Sequence, residues 1–298
     1  MLSLMLFSGS AMAQEKNPEL NDQRPPMGQN GRPKGRPGMP PGGHGGHGSR
    51  QKDIKYTGTT TLTATATENG KSYESSQADE SALLISTKEA VTISQPTISK
   101  TGDSDGGDNC SFYGVNAALL VKGGSTTTIK GGTIVTDGSG ANGVFSYGGN
   151  GGKNGGEGDG TTVIIEDTKI TTSGGGSGGI MTTGGGVTKA KNLTVNTSGR
   201  SSAPIRSDRG GGVVTVEGGS YTSNGQGSPV IYSTADVTVS DAVLTSTMSE
   251  GAVIEGKNSI TLNNCQMTVS NGTSPPIPTS HHSQAMLRAS SSTVTARG

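Results

Sequence analysis

Seven apolar positions set the ladder on which this chain folds: Ile93, Ile129, Ile165, Ala190, Val216, Val239 and Leu262. Five residues after each stands an apolar partner: Ile98, Ile134, Ile170, Val195, Tyr221, Leu244 and Met267. Fifteen residues after an anchor come Val144, Ile180, Ile205, Ile231 and Ile254, and the first cycle reaches its third apolar position late, at Leu120. Successive anchors lie 36, 36, 25, 26, 23 and 23 residues apart. A period in the twenties with three short apolar segments is the demand of a parallel β-helix, in which no repeat can bury its apolar face without its neighbours.

The residues between the anchors agree. Val163, Val214, Val237 and Ile260 stand two before an anchor, in phase with strand alternation. Gly131-Gly132, Gly218-Gly219 and Asn263-Asn264 fall in the gaps, where tight turns favour residues that tolerate positive φ. A helical repeat is excluded because Gly and β-branched residues dominate. An antiparallel sandwich has no reason to keep a fixed five-residue spacing. The expected fold is all-β, a right-handed three-sheet parallel β-helix of about seven coils over residues 53–272, with GTTTLTATAT at Gly58–Thr67 beginning or capping it. Only 28% of residues are hydrophobic and 51 are Gly, too little for a thick globular core but enough for a thin solenoid core.

The ends read differently. Residues 1–13, with an apolar run and Ala11-Met12-Ala13, have the form of a secretory signal peptide. Residues 14–52 form a Pro/Gly-rich linker with seven Lys/Arg against three Asp/Glu between Glu15 and Lys52, a composition that buries too little apolar area to order itself. His44 and His47 in that linker read as solvated rather than metal-bound. Charges balance at 23 against 23, and nothing suggests a nucleic-acid partner. No other run approaches the roughly 20 apolar residues needed to span a bilayer. The chain is therefore expected to be exported, either secreted or held at the surface. Cys110 and Cys265 fall five to six repeats apart, about 25 Å at strand spacing, too far for a disulfide; two thiols are expected, Cys265 buried. Residues 273–298 lose the glycines and show no eighth anchor. Two readings stay open there, a poorly ordered tail or a reading frame that ends in a fragment or frameshift.

Two insertions stretch the ladder to its 36-residue spacings: KTGDSDGGDNCSFYG at Lys100–Gly114 and YGGNGGKNGGEGDG at Tyr147–Gly160. In the first, Asp103, Asp105 and Asp108 supply hard oxygen ligands at a spacing that can wrap Ca²⁺, against the simpler reading of a solvated acidic turn. In the regular coils, Arg206, Asp208 and Arg209 form the densest charge cluster, suited to bidentate recognition of an acidic sugar or to an exposed turn salt bridge. Glu166, Glu217 and Glu255 are scattered, so paired carboxylates for glycoside hydrolysis are not evident. Phe112, Tyr113, Tyr147 and Tyr232 are few and unclustered by spacing.

Over Thr57–Asn271 the chain resembles exported bacterial right-handed β-helix proteins of adhesin-like type, within the pectate-lyase-like superfold. The likeness rests on GGDNCSFYGVNAALLVKGG, GGTIVTDGSGANGVFSYG, APIRSDRGGGVVTVEGGSYTSNGQGSPVIYSTADVTV and EGKNSITLNNC. It departs at the Gly-rich loop Tyr147–Gly160 and after Gly272. The resemblance implies a fold and an export route, and no established active site. The expected function is a non-catalytic, surface-exposed β-helix that contacts polysaccharide, mucin or another cell-surface ligand. The competing expectation is a polysaccharide lyase or hydrolase, since one fold hosts both.

Overall fold

A computed structural model describes residues 54–104, 108–150 and 157–270, together with the strands Gln284–Leu287 and Val294–Arg297. The stretches expected to be a signal peptide and a linker, together with Asp105 and most of the tail, lie outside the described residues. Three parallel sheets wind around a narrow core as a parallel β-helix. Each coil gives one strand to sheet A, then one to sheet B, then one to sheet C. The first coil runs Gly58–Leu62, Ala66–Asn69 and Ser72–Ser75, and the eighth runs Ala252–Glu255, Ser259–Asn263 and Gln266–Val269. The described residues thus form eight coils, where the anchors counted about seven. The extra coil is the first, in which Ala66 pairs with Val91 but Glu68 stands opposite Ile93, so no apolar anchor marks it. The two tail strands pair antiparallel with the eighth coil's strands in sheets A and B.

The anchors form one inward column in sheet B, each in register with the next from Ile93 to Leu262. Their partners five residues on form the matching column in sheet C, from Ile98 to Met267. The five-residue interval is made by a corner. Two residues after each anchor the backbone takes the left-handed conformation: Gln95, Gly131, Asp167, Asn192, Gly218, Asp241 and Asn264 all have φ between 49° and 65°. That single turned residue swings the chain from sheet B into sheet C, and Gly, Asn and Asp meet its steric demand best.

The third column, in sheet A, departs from the fifteen-residue rule at both ends. Val144, Ile180, Ile205 and Ile231 do stack, but the stack continues through Leu119 on one side and Ala252 on the other. Leu120, one residue on, points to the opposite face, and Ile254, two residues on, occupies the next inward position beside Ser233. The physical reason is the connection from sheet C to sheet A, which keeps one length in these four coils but is lengthened by the first insertion before Leu119 and shortened before Ala252.

That connection has its own constraint. Gly138, Gly174, Gly199 and Gly225 stack at the corner beyond sheet C. A Cβ on Gly174, Gly199 or Gly225 would lie 2.0, 1.9 or 1.8 Å from the carbonyl oxygen of the glycine one coil earlier. Ser177, Ser202 and Ser228 stitch the same corner, each hydroxyl donating to a glycine carbonyl of the preceding coil at 2.8, 3.0 and 2.9 Å. Gly199→Ala is expected to destabilise the fold by about 2–3 kcal/mol through backbone overpacking. Gly175→Ala, whose Cβ would meet nothing closer than 3.8 Å, is expected to change stability by less than about 0.5 kcal/mol. Urea melts of both variants against wild type check this contrast.

Candidate functional site

Alternate residues of a strand face out, and on sheet A the outward column is apolar in four successive coils: Leu84, Leu120, Phe145 and Met181. All four are buried. An apolar outer face must be covered, and the first insertion covers it. Its helix α1 (Asn109–Tyr113) ends at Gly114, whose φ of 76° closes the turn. Tyr113 and Ala117 join the four in a second hydrophobic cluster outside the solenoid, with Tyr147 inside it and Phe112, Ile54 and Tyr56 packed against it. The aromatic rings meet one another. Tyr113 lies edge-on to Tyr147 at 5.8 Å and to Phe112 at 6.2 Å, and Tyr56 lies 6.3 Å from Tyr147.

The expectation that Phe112, Tyr113 and Tyr147 are unclustered is therefore corrected. Phe112 and Tyr113 are neighbours in sequence, and Tyr147, one coil on, meets them because α1 folds back onto sheet A. Tyr232 alone of the four stays outside the cluster. A signal for the covered face was present: sheet A strands with two consecutive apolar residues (LL, LL, VF, IM) give way to IR and IY in the sixth and seventh coils. Burial raises the phenols of Tyr56 and Tyr147, the latter to about 12 with Tyr113 adding to the effect.

At that change the outward column continues as Arg206, Tyr232 and Val253. The charged turn clamps the helix. Arg206 donates through Nη2 to Ser111 Oγ (3.3 Å) and Asp208 Oδ2 (3.2 Å), and through Nη1 to the carbonyls of Gly176 (3.3 Å) and Ser201 (3.2 Å). The Arg209 guanidinium lies 4.7 Å over the Phe112 ring and donates to the Tyr113 hydroxyl at 3.4 Å. Thr183 Oγ1 donates to the Phe112 carbonyl at 2.8 Å. Arg206, Asp208 and Arg209 are thus brought together, with the Arg206 donors turned onto protein acceptors. Such an arginine offers a ligand a fixed positive field more than an open fork.

Below the clamp the face is polar. Asp208 is 17% exposed and Arg206 12%. Burial holds the Asp208 carboxyl above its ordinary range, while the Arg206 charge, the Arg209 amide and the Arg206 hydrogen bond pull it back down. Tyr232, with Arg206 at 6.0 Å from its ring, has its phenol raised by burial and then by the carboxylates of Asp208 and Glu255.

The acidic part of the same insertion leads into α1. Asp103 Oδ1 accepts the Ser139 amide at 2.7 Å, tying the insertion to the next coil. Asp108 precedes α1, and its carbonyl accepts the amides of Ser111 (3.1 Å) and Phe112 (2.9 Å). Among the described residues no group of three His, Cys, Asp or Glu converges on a common point. Cys110 in α1 and Cys265 in the last B–C corner are both buried, and no disulfide joins them. Comparison with family models, curated proteins and solved structures returns no match for this chain.

A folded-state carboxyl raised above its unfolded value favours the protonated form, so its contribution to stability is present at low pH and lost as pH rises through the folded pKa. Asp208→Asn keeps an acceptor for Arg206 and removes the titration. Wild type is expected to gain in Tm relative to Asp208→Asn as pH falls from neutrality into the carboxylate range, read from melts at a series of pH values.

Proposed function

We propose that the protein is an exported, surface-exposed, non-catalytic β-helix of adhesin-like type that contacts polysaccharide, mucin or another cell-surface ligand. The supporting observation is the outward face of sheet B. One register column there reads Thr67, Thr92, Thr128, Ile164, Lys189, Thr215, Thr238 and Thr261, one side chain per coil. Stacked strands repeat every 4.8 Å or so, which turns the threonines into two evenly spaced runs of three hydroxyls on either side of Ile164 and Lys189. Beside it Lys130, Glu166, Lys191 and Glu217 alternate in charge, with ion pairs at 3.9 and 3.4 Å. Exposed pairs of this kind add little stability and leave both charges hydrated. A periodic donor–acceptor row suits a polymer whose hydroxyls are also periodic, binding through many weak contacts.

Retention of the purified chain on immobilised polysaccharides and mucin is the direct test. Wild type is expected to be retained, and Thr215→Lys with Thr238→Lys to elute several-fold earlier with an unchanged melt. Equal retention of the variant withdraws the sheet B face.

A lyase or hydrolase remains the second reading because of one geometric fact. Asp208 and Glu255 each stand two residues beyond the column Arg206–Tyr232–Val253, two coils apart with Tyr232 between them. Two coil rises are about 10 Å, near the upper end of the spacing used by inverting glycosidases. New reducing or unsaturated ends on incubation with neutral and acidic polysaccharides, lost in Asp208→Asn, favour this reading over the first.

The proposal that Asp103, Asp105 and Asp108 hold Ca²⁺ has a separate check. A bound ion raises Tm by linkage, so millimolar Ca²⁺ is expected to raise the melt of wild type and not that of Asp103→Asn/Asp108→Asn. No shift in wild type removes the site.

A further inference from the structure

Lys100 interrupts a column of hydroxyls. On the inward face of sheet C its register equivalents are Ser75, Thr136, Thr172, Thr197, Ser223 and Ser246. Lys100 is fully buried at 0% exposure, and its ammonium donates to the carbonyls of Gln77 (2.6 Å) and Gly102 (2.9 Å). The Gly102 carbonyl receives a second donor, the Asn116 side-chain amide Nδ2, at 2.8 Å. Nζ and Nδ2 therefore converge on one oxygen. Asn116 is also at 0% exposure, has a left-handed backbone (φ 77°), and donates again from Nδ2 to Ser139 O at 3.1 Å. Its carbonyl oxygen Oδ1 is buried with no hydrogen-bond partner. A buried amide oxygen without a donor is costly and rare.

We propose that Lys100 and Asn116 are a modification site, at which the Lys100 amine and the Asn116 side-chain carboxamide condense into an intramolecular isopeptide bond. The amine nitrogen attacks Asn116 Cγ, the C–N bond to Nδ2 breaks, and Nδ2 leaves as ammonia. The new amide N–H takes the place of Nδ2 against the Gly102 carbonyl, so a hydrogen bond to that oxygen is kept. The proton balance closes within the site. The ammonium first gives a proton to a carboxylate, and the carboxyl then delivers it to the departing nitrogen. The attacking nitrogen gives up a second proton as it becomes an amide, and the released ammonia takes it, so the net products are the amide and an ammonium ion. Glu80 is assigned this shuttle because its Oε2 accepts from Ser75 Oγ at 2.8 Å, and Ser75 is the register neighbour of Lys100 in sheet C; Asp79 and Asp103 are the other two carboxylates that act on the lysine. Burial lowers the Lys100 pKa against the pull of those three carboxylates, which makes the neutral amine more accessible than on a surface lysine. The step needs no oxidant and no cofactor. It would tie the end of the second coil across the first insertion to the start of the third.

The test is mass spectrometry on the purified, folded wild-type chain. The intact mass is expected to be lower by one ammonia, and a proteolytic digest is expected to contain a branched peptide joining Lys100 to Asn116. Lys100→Met is expected to show neither signature. A wild-type mass without the loss overturns the proposal. So does a loss that maps instead to cyclised N-terminal glutamine or to a succinimide at an Asn-Gly pair. Glu80→Gln is expected to leave the lysine and asparagine unlinked, and full linkage in that variant overturns the role given to Glu80.

Discussion

The structure depends on a backbone hydrogen bond at the corner between sheets B and C. The left-handed residue of each coil donates its amide to the strand-end carbonyl of the next: Gln95 to Lys130, Gly131 to Glu166, Asp167 to Lys191, Asn192 to Glu217, Gly218 to Ser240 and Asp241 to Asn263, all at 2.8–3.0 Å. A residue in this conformation costs on the order of 1 kcal/mol unless it is glycine. The stack offsets that cost with side-chain contacts where the residue is not glycine. Asn192 donates to Asp167 at 2.6 Å and Asn264 to Asp241 at 2.5 Å. At Gln95 the end of the side chain instead lies in the space left by the missing Cβ of Gly131 in the next coil. Because every corner turns at the same place, the anchor column and its partner column cannot slip relative to each other.

From that fixed corner the core follows in order. Inward residues of sheets B and C stack on their equivalents, and sheet A closes the prism through a second, looser corner. The looseness is confined by the stacked glycines and by serines that hydrogen-bond from coil to coil. Several of the buried polar residues serve this corner: Thr172 donates to Ser177 O and Ser223 to Ser228 O, both at 2.6 Å, satisfying corner carbonyls that would otherwise be stranded, while Thr136 Oγ1 and Thr197 Oγ1 in the same column are buried with no partner. Thin apolar columns and satisfied polar corners together explain how a glycine-rich chain of modest hydrophobic content builds a continuous interior.

What was legible in the sequence tracks these two corners. Val216 and Tyr221 could be read because one turned residue fixes their interval, and the same rule held at all seven anchors. Leu120 and Ile254 fall off the column because the C–A connection changes length at those two coils, and a single-residue shift turns a side chain to the other face. The first coil was undercounted because Glu68 occupies the anchor position. The cluster of Tyr56, Phe112, Tyr113 and Tyr147 was invisible to spacing because α1 belongs to an insertion, whose landing place is not encoded in the period. Arg206, Asp208 and Arg209 were visible as a charge cluster, but their contacts with Ser111, Tyr113 and Phe112 span about a hundred residues of sequence and only the folded chain brings them together.

The placement of the two insertions divides the surface into an irregular part and a periodic part. The first enters between sheets C and A, the second between sheets A and B, so both flank sheet A and leave the corner between B and C undisturbed. Sheet A is consequently the face that carries irregular chemistry: a covered apolar half and, past Arg206, a polar half with Asp208, Tyr232 and Glu255. Sheets B and C keep their period, and outward residues there repeat coil by coil without an inserted wall. A single-site reaction calls for convergent groups and shelter from water, which is available beside sheet A. Extended contact with a repeating polymer calls for periodicity, which sheet B supplies as threonines in six of its eight coils. The clamp built by Arg206 and Arg209 then has a physical purpose in either case. It holds α1 over Leu120, Phe145 and Met181, so that the apolar half of sheet A is closed to partners and the periodic faces are what the molecule presents.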